Sequence, residues 1–261
     1  MKSKNIQLNN SILQGDCIKI MKELSPKSFD LVITDPPYNI SGKSKLDLPN
    51  NTTGGPWYKM EESWDIFKDY KEYLDFTRSW MTEADKILSD KGSMAICCSY
   101  HALGEILIAL KELDYKILNI ITWRKTNPMP NITKRTLTHS TEFVIWAAKS
   151  KGWKFNYNDM KKYSEGKQLR DVWEFPLCQG KERIKNKSGR AAHPNQKPLA
   201  LISRIIEMTS EKGDLVLDPF LGAGTTAVAA RQLKRRWLGI ESNSDYIKIA
   251  KTRISKKPKI L

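Results

Sequence analysis

Two short stretches of this sequence carry residues whose types and spacing could do chemistry. The first is Asp35-Pro36-Pro37-Tyr38, which follows an apolar run from 29 to 34. Neither proline has an N–H to donate, and Pro36 biases Asp35 towards an extended backbone. A carboxylate, carbonyl oxygens and an aromatic ring are therefore held in one rigid turn. Such a turn suits a nucleobase whose exocyclic amine donates to Asp35 and a proline carbonyl while Tyr38 stacks on its ring. Taken alone, the tetrapeptide fits a rigid link between a strand and a loop equally well.

The second stretch follows another short apolar strand pattern, from 214 to 218. A glycine turn with the pattern Phe220-x-Gly222-x-Gly224-Thr225-Thr226 comes next, and then a run of helix formers from 227 to 233. A strand, a glycine turn and a helix bring backbone N–H groups close to a ligand. Glu241 ends a further strand, where an acid commonly binds ribose hydroxyls. The pattern has no phosphate-binding loop, so it indicates a nucleoside ligand without a phosphate.

The two stretches together resemble the amino-methylating DNA methyltransferases, which use S-adenosylmethionine. The tetrapeptide precedes the glycine turn along the chain, and this order is similar to the permuted β group of that family. Further matches run along most of the chain, in the same order: Gly15-Asp16-Cys17, Thr138-His139-Ser140-Thr141-Glu142, and His193-Pro194-x-x-Lys197-Pro198.

The resemblance implies a Rossmann-like class I methyltransferase fold. It is an α/β fold with a mostly parallel twisted sheet, helices on both faces, a circularly permuted motif order and a small DNA-recognition insert. Catalysis is expected from Asp35, Pro36, Pro37 and Tyr38. The cofactor S-adenosylmethionine is expected to contact a larger set: Asp16, Cys17, Asp35, Lys197, Asp218, Phe220, Gly222, Gly224, Thr225, Thr226 and Glu241.

Two of these assignments carry alternatives or a specific partner. Asp16 also fits a helix cap on local grounds, and the resemblance adds a position near the adenine or ribose of the cofactor. Lys197, at the start of a helix, is expected to pair with the methionyl carboxylate of the cofactor.

The expected acceptor is adenine N6 in double-stranded DNA, because cytosine-N4 members of the family more often carry Ser in place of Asp35. Cytosine N4 is the alternative. An RNA or a protein amide is more distant, since its motif usually begins with Asn. A non-catalytic nucleic-acid-binding module fits the basic composition but has no need of the second stretch. The resemblance further implies a cognate restriction endonuclease as a functional companion and a homodimer among the expected states.

Composition supports a polyanionic partner. The chain has 261 residues and a net charge of +15, which favours nucleic acid. The four cysteines form no metal-ligand spacing with the three histidines, and no apolar run is long enough to span a bilayer. We therefore expect a cytoplasmic protein without a structural metal or a membrane segment.

The chain is expected to form a single catalytic domain over 1–261. A proline- and glycine-rich stretch at 40–63 predicts a mobile loop, and 149–192, where basic and aromatic residues alternate without a regular period, predicts a target-recognition insert. A solvated basic loop is the alternative for the insert. Trp123 fits either the target-base pocket or the core. The expected DNA contacts are Lys43, Trp123, Lys181, Arg183, Lys185, Lys187 and Arg190.

Regular elements must place these groups. The pattern predicts buried strands at 29–34, 93–98, 116–123 and 141–148, and helices at 65–88, 101–113 and 199–209. Carboxyl ends of parallel strands meet at one edge of a sheet, so Asp35 and the glycine turn should lie close together there.

Overall fold

The computed structural model describes residues 9–41, 63–131, 134–186 and 189–256. These residues form eight strands: β1 (Ser11–Gln14), β2 (Phe29–Thr34), β3 (Leu88–Cys98), β4 (Lys116–Lys125), β5 (Thr141–Ala148), β6 (Val172–Phe175), β7 (Leu215–Asp218) and β8 (Arg236–Glu241). They also form seven α-helices: α1 (Cys17–Met21), α2 (Tyr70–Ile87), α3 (Leu103–Glu112), α4 (Tyr157–Met160), α5 (Leu199–Thr209), α6 (Thr225–Gln232) and α7 (Ser244–Ser255). Two short 3₁₀ turns lie at Ser63–Asp65 and Lys161–Tyr163.

All eight strands belong to one sheet, with the order β1-β8-β7-β2-β3-β5-β4-β6. β5 runs antiparallel to both of its neighbours, and every other pairing is parallel. The carboxyl ends of seven strands and the amino end of β5 therefore share one edge. This mixed but mostly parallel sheet confirms the predicted α/β fold class.

The sheet is buried on both faces because its strands are apolar on both sides. In β2, Val32 belongs to one core cluster, whereas Leu31 and Ile33 belong to the other. Helices α1, α2 and α3 cover the first face, and α5, α6 and α7 cover the second. Continuous burial of this kind is expected for parallel strands between helical layers.

Pairing between β2 and β7 brings distant parts of the chain together. Leu31 lies opposite Val216, and Val32 lies opposite Leu217. In the sheet, β7 lies directly beside β2, although β2 comes early in the chain and β7 comes near its end. The strand that precedes the tetrapeptide and the strand that precedes the glycine turn are thus direct neighbours.

Two predicted boundaries were wrong. The helix predicted from 65 begins at Tyr70, because the Asp69 side chain accepts a hydrogen bond from Glu72 N at 2.9 Å and caps it. The strand predicted to begin at 93 begins at Leu88, and its pairing with β2 shifts register before Ser93. An irregularity in the pairing therefore lies between the Phe29–Leu88 pair and the Leu31–Ser93 pair.

The segment 149–192 contains regular structure that its sequence does not announce. β6 pairs with β4 in parallel and closes one edge of the sheet, and Trp173 and Phe175 on this strand are buried in the second core cluster. At least these two aromatic residues of the segment therefore pack in the core.

In the described part of the chain, no helix combines the length and apolar character needed to cross a bilayer.

Trp123 is a core residue. Its indole is 2 % exposed, and Nε1 donates to the Phe175 carbonyl at 2.9 Å. The indole therefore joins β4 to β6 in the interior. The predicted DNA contact through Trp123 is corrected here, because a buried ring cannot reach a DNA backbone or groove.

Trp123→Ala should lower the free energy of unfolding by about 3–5 kcal/mol, because it removes a large buried ring and one of the two hydrogen bonds that the Phe175 carbonyl accepts. Denaturant unfolding followed by circular dichroism measures this change. Leu137→Ala is the control, since Leu137 is 89 % exposed, and it should change stability by less than about 0.5 kcal/mol. Equal stability of the two variants would contradict the core assignment.

Candidate active site

The two chemically promising turns open on the same edge of the sheet. Asp35 follows the end of β2, and Asp218 ends the neighbouring strand β7. Thr34 Oγ1 donates to Asp218 Oδ1 at 2.9 Å, which links the two strand ends directly. The sequence expectation that these groups lie side by side is met.

Asp35 is surrounded by hydrogen-bond donors. Its Oδ1 accepts from the Tyr38 hydroxyl. Its Oδ2 accepts from Lys197 Nζ at 2.7 Å and from Asn195 Nδ2 at 3.1 Å. Burial raises the pKa of Asp35, while the charge of Lys197 acts in the opposite direction. A carboxylate offers about four lone-pair positions, so three donors leave room for one more.

Tyr38 is buried rather than presented to solvent. Its side chain is 4 % exposed, and its ring lies 5.3 Å from Lys197 Nζ. Stacking on a base would require this ring to turn away from Asp35. Pro37 is held as well, because its carbonyl accepts from the Tyr73 hydroxyl at 3.0 Å.

Lys197 occupies the centre of a buried charge cluster. Its ammonium lies 2.7 Å from Asp35 Oδ2 and 3.4 Å from Glu142 Oε2, with 4 % of its side chain exposed. Burial lowers the pKa of Lys197, but the two carboxylates outweigh burial and the net shift is upward. The predicted pairing with a cofactor carboxylate is thus replaced, in this conformation, by pairing with two protein carboxylates.

Backbone conformation and close packing explain why glycine is required at positions 222 and 224. Gly222 has φ +51°, and a Cβ on it would approach His193 Nε2 to 2.8 Å. Gly224 has φ +78° and precedes the first residue of α6; its Cβ would lie 2.9 Å from Ala250 Cβ. Both the left-handed backbone and the lack of space exclude larger residues.

Two acids flank this turn. Glu241 accepts from the backbone N–H groups of Gly222 and Asn243, each at 2.8 Å, so the carboxylate is fixed at the end of β8. Asp218 also accepts from Phe220 N at 3.1 Å. Burial raises the pKa of Asp218 to about 6 and also raises that of Glu241.

The β1 end contributes Asp16 and Cys17. Asp16 Oδ1 accepts from Lys19 N at 2.9 Å, which makes it the N-cap of α1, and it also lines the cavity. Both sequence interpretations of Asp16 are therefore compatible with its position. Burial raises the pKa of Cys17 to about 12, so its thiol stays protonated and is a poor nucleophile.

A cavity of about 260 Å³ joins these groups. It reaches from the Asp35 turn to the glycine turn and to the ends of β1 and β8. The expected cofactor residues that line it are Asp16, Cys17, Asp35, Lys197, Asp218, Phe220, Gly222, Thr225, Thr226 and Glu241. A concave, mostly apolar site with a few fixed polar groups is typical of small-ligand binding.

Residues 29–252 match the protein-family model for DNA methylases of the N6 and N4 type. The chain belongs to this family. It is 39% identical over 256 residues to the type II methyltransferase M.HinfI of Haemophilus influenzae, a match that covers 97% of this chain and 70% of that protein. It is 37% identical over 252 residues to M2.LlaDCHI of Lactococcus lactis subsp. cremoris, covering 95% of this chain and 90% of that protein.

Solved structures agree with the fold of this DNA methyltransferase. The complex of M1.HpyAVI with S-adenosylmethionine is 31% identical, with a TM-score of 0.68 over 94% of this chain and 99% of that one. PvuII DNA methyltransferase, a cytosine-N4-specific protein, is 20% identical with a TM-score of 0.73, over 95% of this chain and 87% of that one. At this identity the second likeness concerns the fold alone.

His193 and Asp65 also shape the site of this methyltransferase, although neither was assigned a role there from sequence. His193, within the matched His-Pro motif, packs against Tyr246 at 4.5 Å between ring centroids and lines the cavity beside Gly222. Burial and nearby cations, foremost Lys197, lower the pKa of His193 to about 4, so its ring is neutral at physiological pH. The feature of the sequence that could have pointed to His193 is its place before Pro194 in the matched motif.

Asp65 is the second. It is fully buried, and its carboxylate accepts four backbone N–H groups that follow the prolines: Tyr38 at 2.6 Å, Asn39 at 2.7 Å, Ile40 at 3.0 Å and Ser41 at 2.9 Å. The sequence placed this acid at the start of a helix. Only the fold shows that it holds the turn at 35–41 in place.

The residues predicted to contact DNA differ in their exposure and in their contacts within the protein. Lys181, Lys185 and Arg190 are exposed. Arg183 donates to the carbonyls of Cys178 and Pro194 at 3.3 and 3.1 Å and so braces the approach to Lys197. Lys43, Lys187 and the greater part of the predicted loop at 40–63 lie outside the described residues.

Asp65→Ala should destabilise the fold by about 3 kcal/mol or more, because it leaves buried N–H groups without their charged acceptor. Asp65→Asn should cost less, since it keeps one acceptor oxygen. Denaturant unfolding measures the stability of each variant. At a temperature where all remain folded, methyl transfer should fall in the same order, and full activity in Asp65→Ala would contradict the assigned role.

Proposed function

We propose that this DNA methyltransferase transfers a methyl group from S-adenosylmethionine to the N6 amine of an adenine flipped out of double-stranded DNA. The observation that carries the proposal is the Asp35 carboxylate, which is 18% exposed, lines the cavity at the sheet edge and retains room for one further donor. A base inside the stack is out of reach of such a site, so the base must be extruded.

The residues around the cavity fit the cofactor. Glu241 is fixed at a strand end where its carboxylate can bind ribose hydroxyls, and Gly222 and Gly224 leave the backbone open to close approach. Phe220 packs edge-on against Trp80 with ring centroids 5.5 Å apart and presents an apolar wall to the cavity. S-adenosylmethionine supplies a methyl group activated by a sulfonium charge.

The protein's own groups position and polarise the amine. The nitrogen is a weak nucleophile because its lone pair is delocalised into the ring. Asp35 and the Pro36 carbonyl accept its two N–H bonds, which favours a pyramidal nitrogen and accommodates the charge that grows on it. The prolines and Asp65 hold these acceptors before the base arrives, so the site works by positioning and electrostatics.

Adenine is favoured over cytosine by the identity of residue 35. The amino-methyltransferases that act on cytosine N4 more often carry Ser at this position, and this chain carries Asp. Cytosine N4 is the alternative acceptor. Because both bases present an exocyclic amine, the same acceptors serve either reaction and the product must be identified directly.

The basic surface is proposed to bind the DNA backbone. Exposed Lys181, Lys185 and Arg190 lie in the segment that leads to Asn195 and Lys197 in the active site. Their cations suit phosphate contacts, which set orientation, while base reading needs groove contacts in addition. The net charge of +15 supports the same partner.

We propose that this enzyme acts in the cytoplasm as the modification half of a restriction–modification system. Methylation of the target base would protect the DNA from a companion endonuclease that reads the same sequence. A homodimer is the proposed assembly.

Incubation of the protein with unmethylated DNA and methyl-labelled cofactor, followed by digestion to nucleosides, should place the label in N6-methyladenine. Asp35→Asn should lower the transfer rate by at least about 100-fold, because it replaces an accepting oxygen with a donor. The variant should still bind the cofactor, as measured by calorimetry. Label in N4-methylcytosine would select the alternative acceptor, and retained turnover would remove Asp35 from its role.

Replacement of Lys181, Lys185 and Arg190 by Ala should weaken DNA binding on all sequences alike. Each lost phosphate contact should reduce the slope of log affinity against log salt concentration by about 1. Fluorescence anisotropy at several salt concentrations measures this slope. Lys248→Ala, an exposed change on α7 where Lys248 pairs with Asp245 at 2.9 Å, is the control. Equal slopes in both variants would contradict the proposed surface.

A further inference from the structure

The carboxylate proposed to receive the amine belongs to a cluster of four charged side chains that are largely shielded from solvent. Lys125 Nζ lies 2.8 Å from Glu142 Oε1, and Lys197 lies between Glu142 and Asp35. All four side chains are at most 18% exposed. Two cations and two anions balance one another, as buried charges must.

Glu142 is the member of this cluster without an assigned role. It is the second residue of β5, which runs antiparallel and so begins at the active-site edge. Its Oε2 is buried, lies 3.4 Å from Lys197 Nζ and makes no hydrogen bond to the described residues. This oxygen is placed to accept the ammonium if Lys197 turns away from Asp35.

Methyl transfer to an amine creates a proton that has to leave. The nitrogen lone pair forms the new N–C bond, the S–C bond breaks with its electron pair kept on sulfur, and the positive charge passes to the methylated nitrogen. An N–H proton then moves to an acceptor, and the N–H electron pair restores the neutral amine. Asp35 is the acceptor within reach, and it later releases the proton to water.

Protonation of Asp35 would leave Lys197 without its closest anion. A buried ammonium with no counter-charge is costly, so a lone Lys197–Asp35 pair would resist that protonation. With Glu142 present, the ammonium keeps a carboxylate partner throughout. Asp35 then becomes free both to accept the amine and to take up its proton.

We propose that Glu142 is a positioning residue that acts as the alternative counter-ion of Lys197, so that Asp35 can be released to receive the proton of the methylated amine. This inference rests on the proposed transfer to an exocyclic amine but is independent of which base carries it. Lys125 holds Glu142 in place from the opposite side.

Other titratable groups face the same site and must be separated from Asp35. Burial keeps the hydroxyl of Tyr38 and the thiols of Cys97 and Cys98 protonated, and His193 is neutral. Asp218 has a pKa of about 6 and could itself produce an acid limb in a pH–rate profile. Glu142 raises the pKa of Asp35 by like-charge repulsion, and the charge of Asp35 in turn raises the pKa of Asp218. Loss of the Glu142 charge keeps Asp35 ionised to lower pH, so any response of Asp218 would be upward. A limb that moves to lower pH when Glu142 is changed therefore belongs to Asp35.

Glu142→Gln tests the proposal because it keeps the shape of the side chain and removes its charge. Without that charge, Lys197 interacts with Asp35 alone and favours its ionised form, so the pKa of Asp35 should fall. Activity requires the ionised carboxylate, so the acid limb of the single-turnover rate should move to lower pH by about one unit. Asp35 would also be a weaker base, and the plateau rate should fall by about 10-fold.

Carboxyl-carbon NMR of the cofactor-free protein gives a readout that does not depend on activity. The Asp35 signal, assigned by its loss in Asp35→Asn, should titrate at lower pH in Glu142→Gln than in the unchanged protein. Glu142→Asp keeps the charge and should return both the titration and the acid limb towards their original positions.

Two further variants separate the effect of the Glu142 charge from effects on folding and from the general loss of an acidic side chain. The double variant Lys125→Met, Glu142→Gln restores charge balance in the cluster and protects folding, yet it still lacks the second anion and should keep the shifted limb. Glu83→Gln is the matched control: Glu83 is a 7 % exposed acid on α2 that pairs with Lys86 at 2.8 Å, and its loss should leave the limb in place.

An unchanged Asp35 titration and an unchanged acid limb in Glu142→Gln would overturn the proposal. So would an equal shift in Glu142→Asp, because a charge effect would then be excluded. Failure of the unchanged protein to label any base would instead count against the proposed function, while the NMR titration would still decide the role of Glu142.

Discussion

The parallel pairing of β2 with β7 is the constraint on which the rest of the site depends. It places the end of one strand, followed by Asp35, against the end of another, followed by the glycine turn, although about 180 residues of chain separate them. The hydrogen bond from Thr34 to Asp218, between residues 184 apart, joins the two ends directly. Since side chains and backbone groups at parallel strand ends face the same solvent edge, one cavity can serve an amine acceptor and a cofactor site together.

Burial of charge is the second constraint, and it follows from the first. Strands covered by helices on both faces leave the active-site carboxylate with little water around it, so its neighbours must supply the counter-charge. Lys197 does so for Asp35 and Glu142, and Lys125 completes the balance. The buried carboxylate of Asp65 is stabilised in another way, because it accepts hydrogen bonds from four backbone N–H groups. The geometry of the turn that begins at Asp35 and the ionisation of its carboxyl group are thus set by the same surroundings.

Features set by local chemistry could be predicted from the sequence. A short branched run that ends in Asp-Pro-Pro predicts a strand end, and the glycine pattern predicts a turn before a helix, where the structure gives Gly222 a φ of +51°. The surroundings of a residue whose partner lies far away in the chain could not be predicted in this way. Trp123 fitted either a base pocket or the core, and only pairing of β4 with β6 decided for the core. The irregular segment after 149 gave no period from which β6 could be predicted, because a four-residue edge strand is too short to show one.

What the sequence by itself determined is the chemical type of the site: an acid held by prolines, a glycine turn ahead of a helix, an acid at a later strand end and a basic composition. These are local properties of residue type and order, and they also carry the resemblance to the amino-methyltransferases. What only the tertiary structure decided is which charges share the site. β5 runs antiparallel, so its first residues, and Glu142 among them, lie at the same edge as the ends of the parallel strands. Strand direction depends on packing across the whole sheet, and no short stretch of sequence contains it.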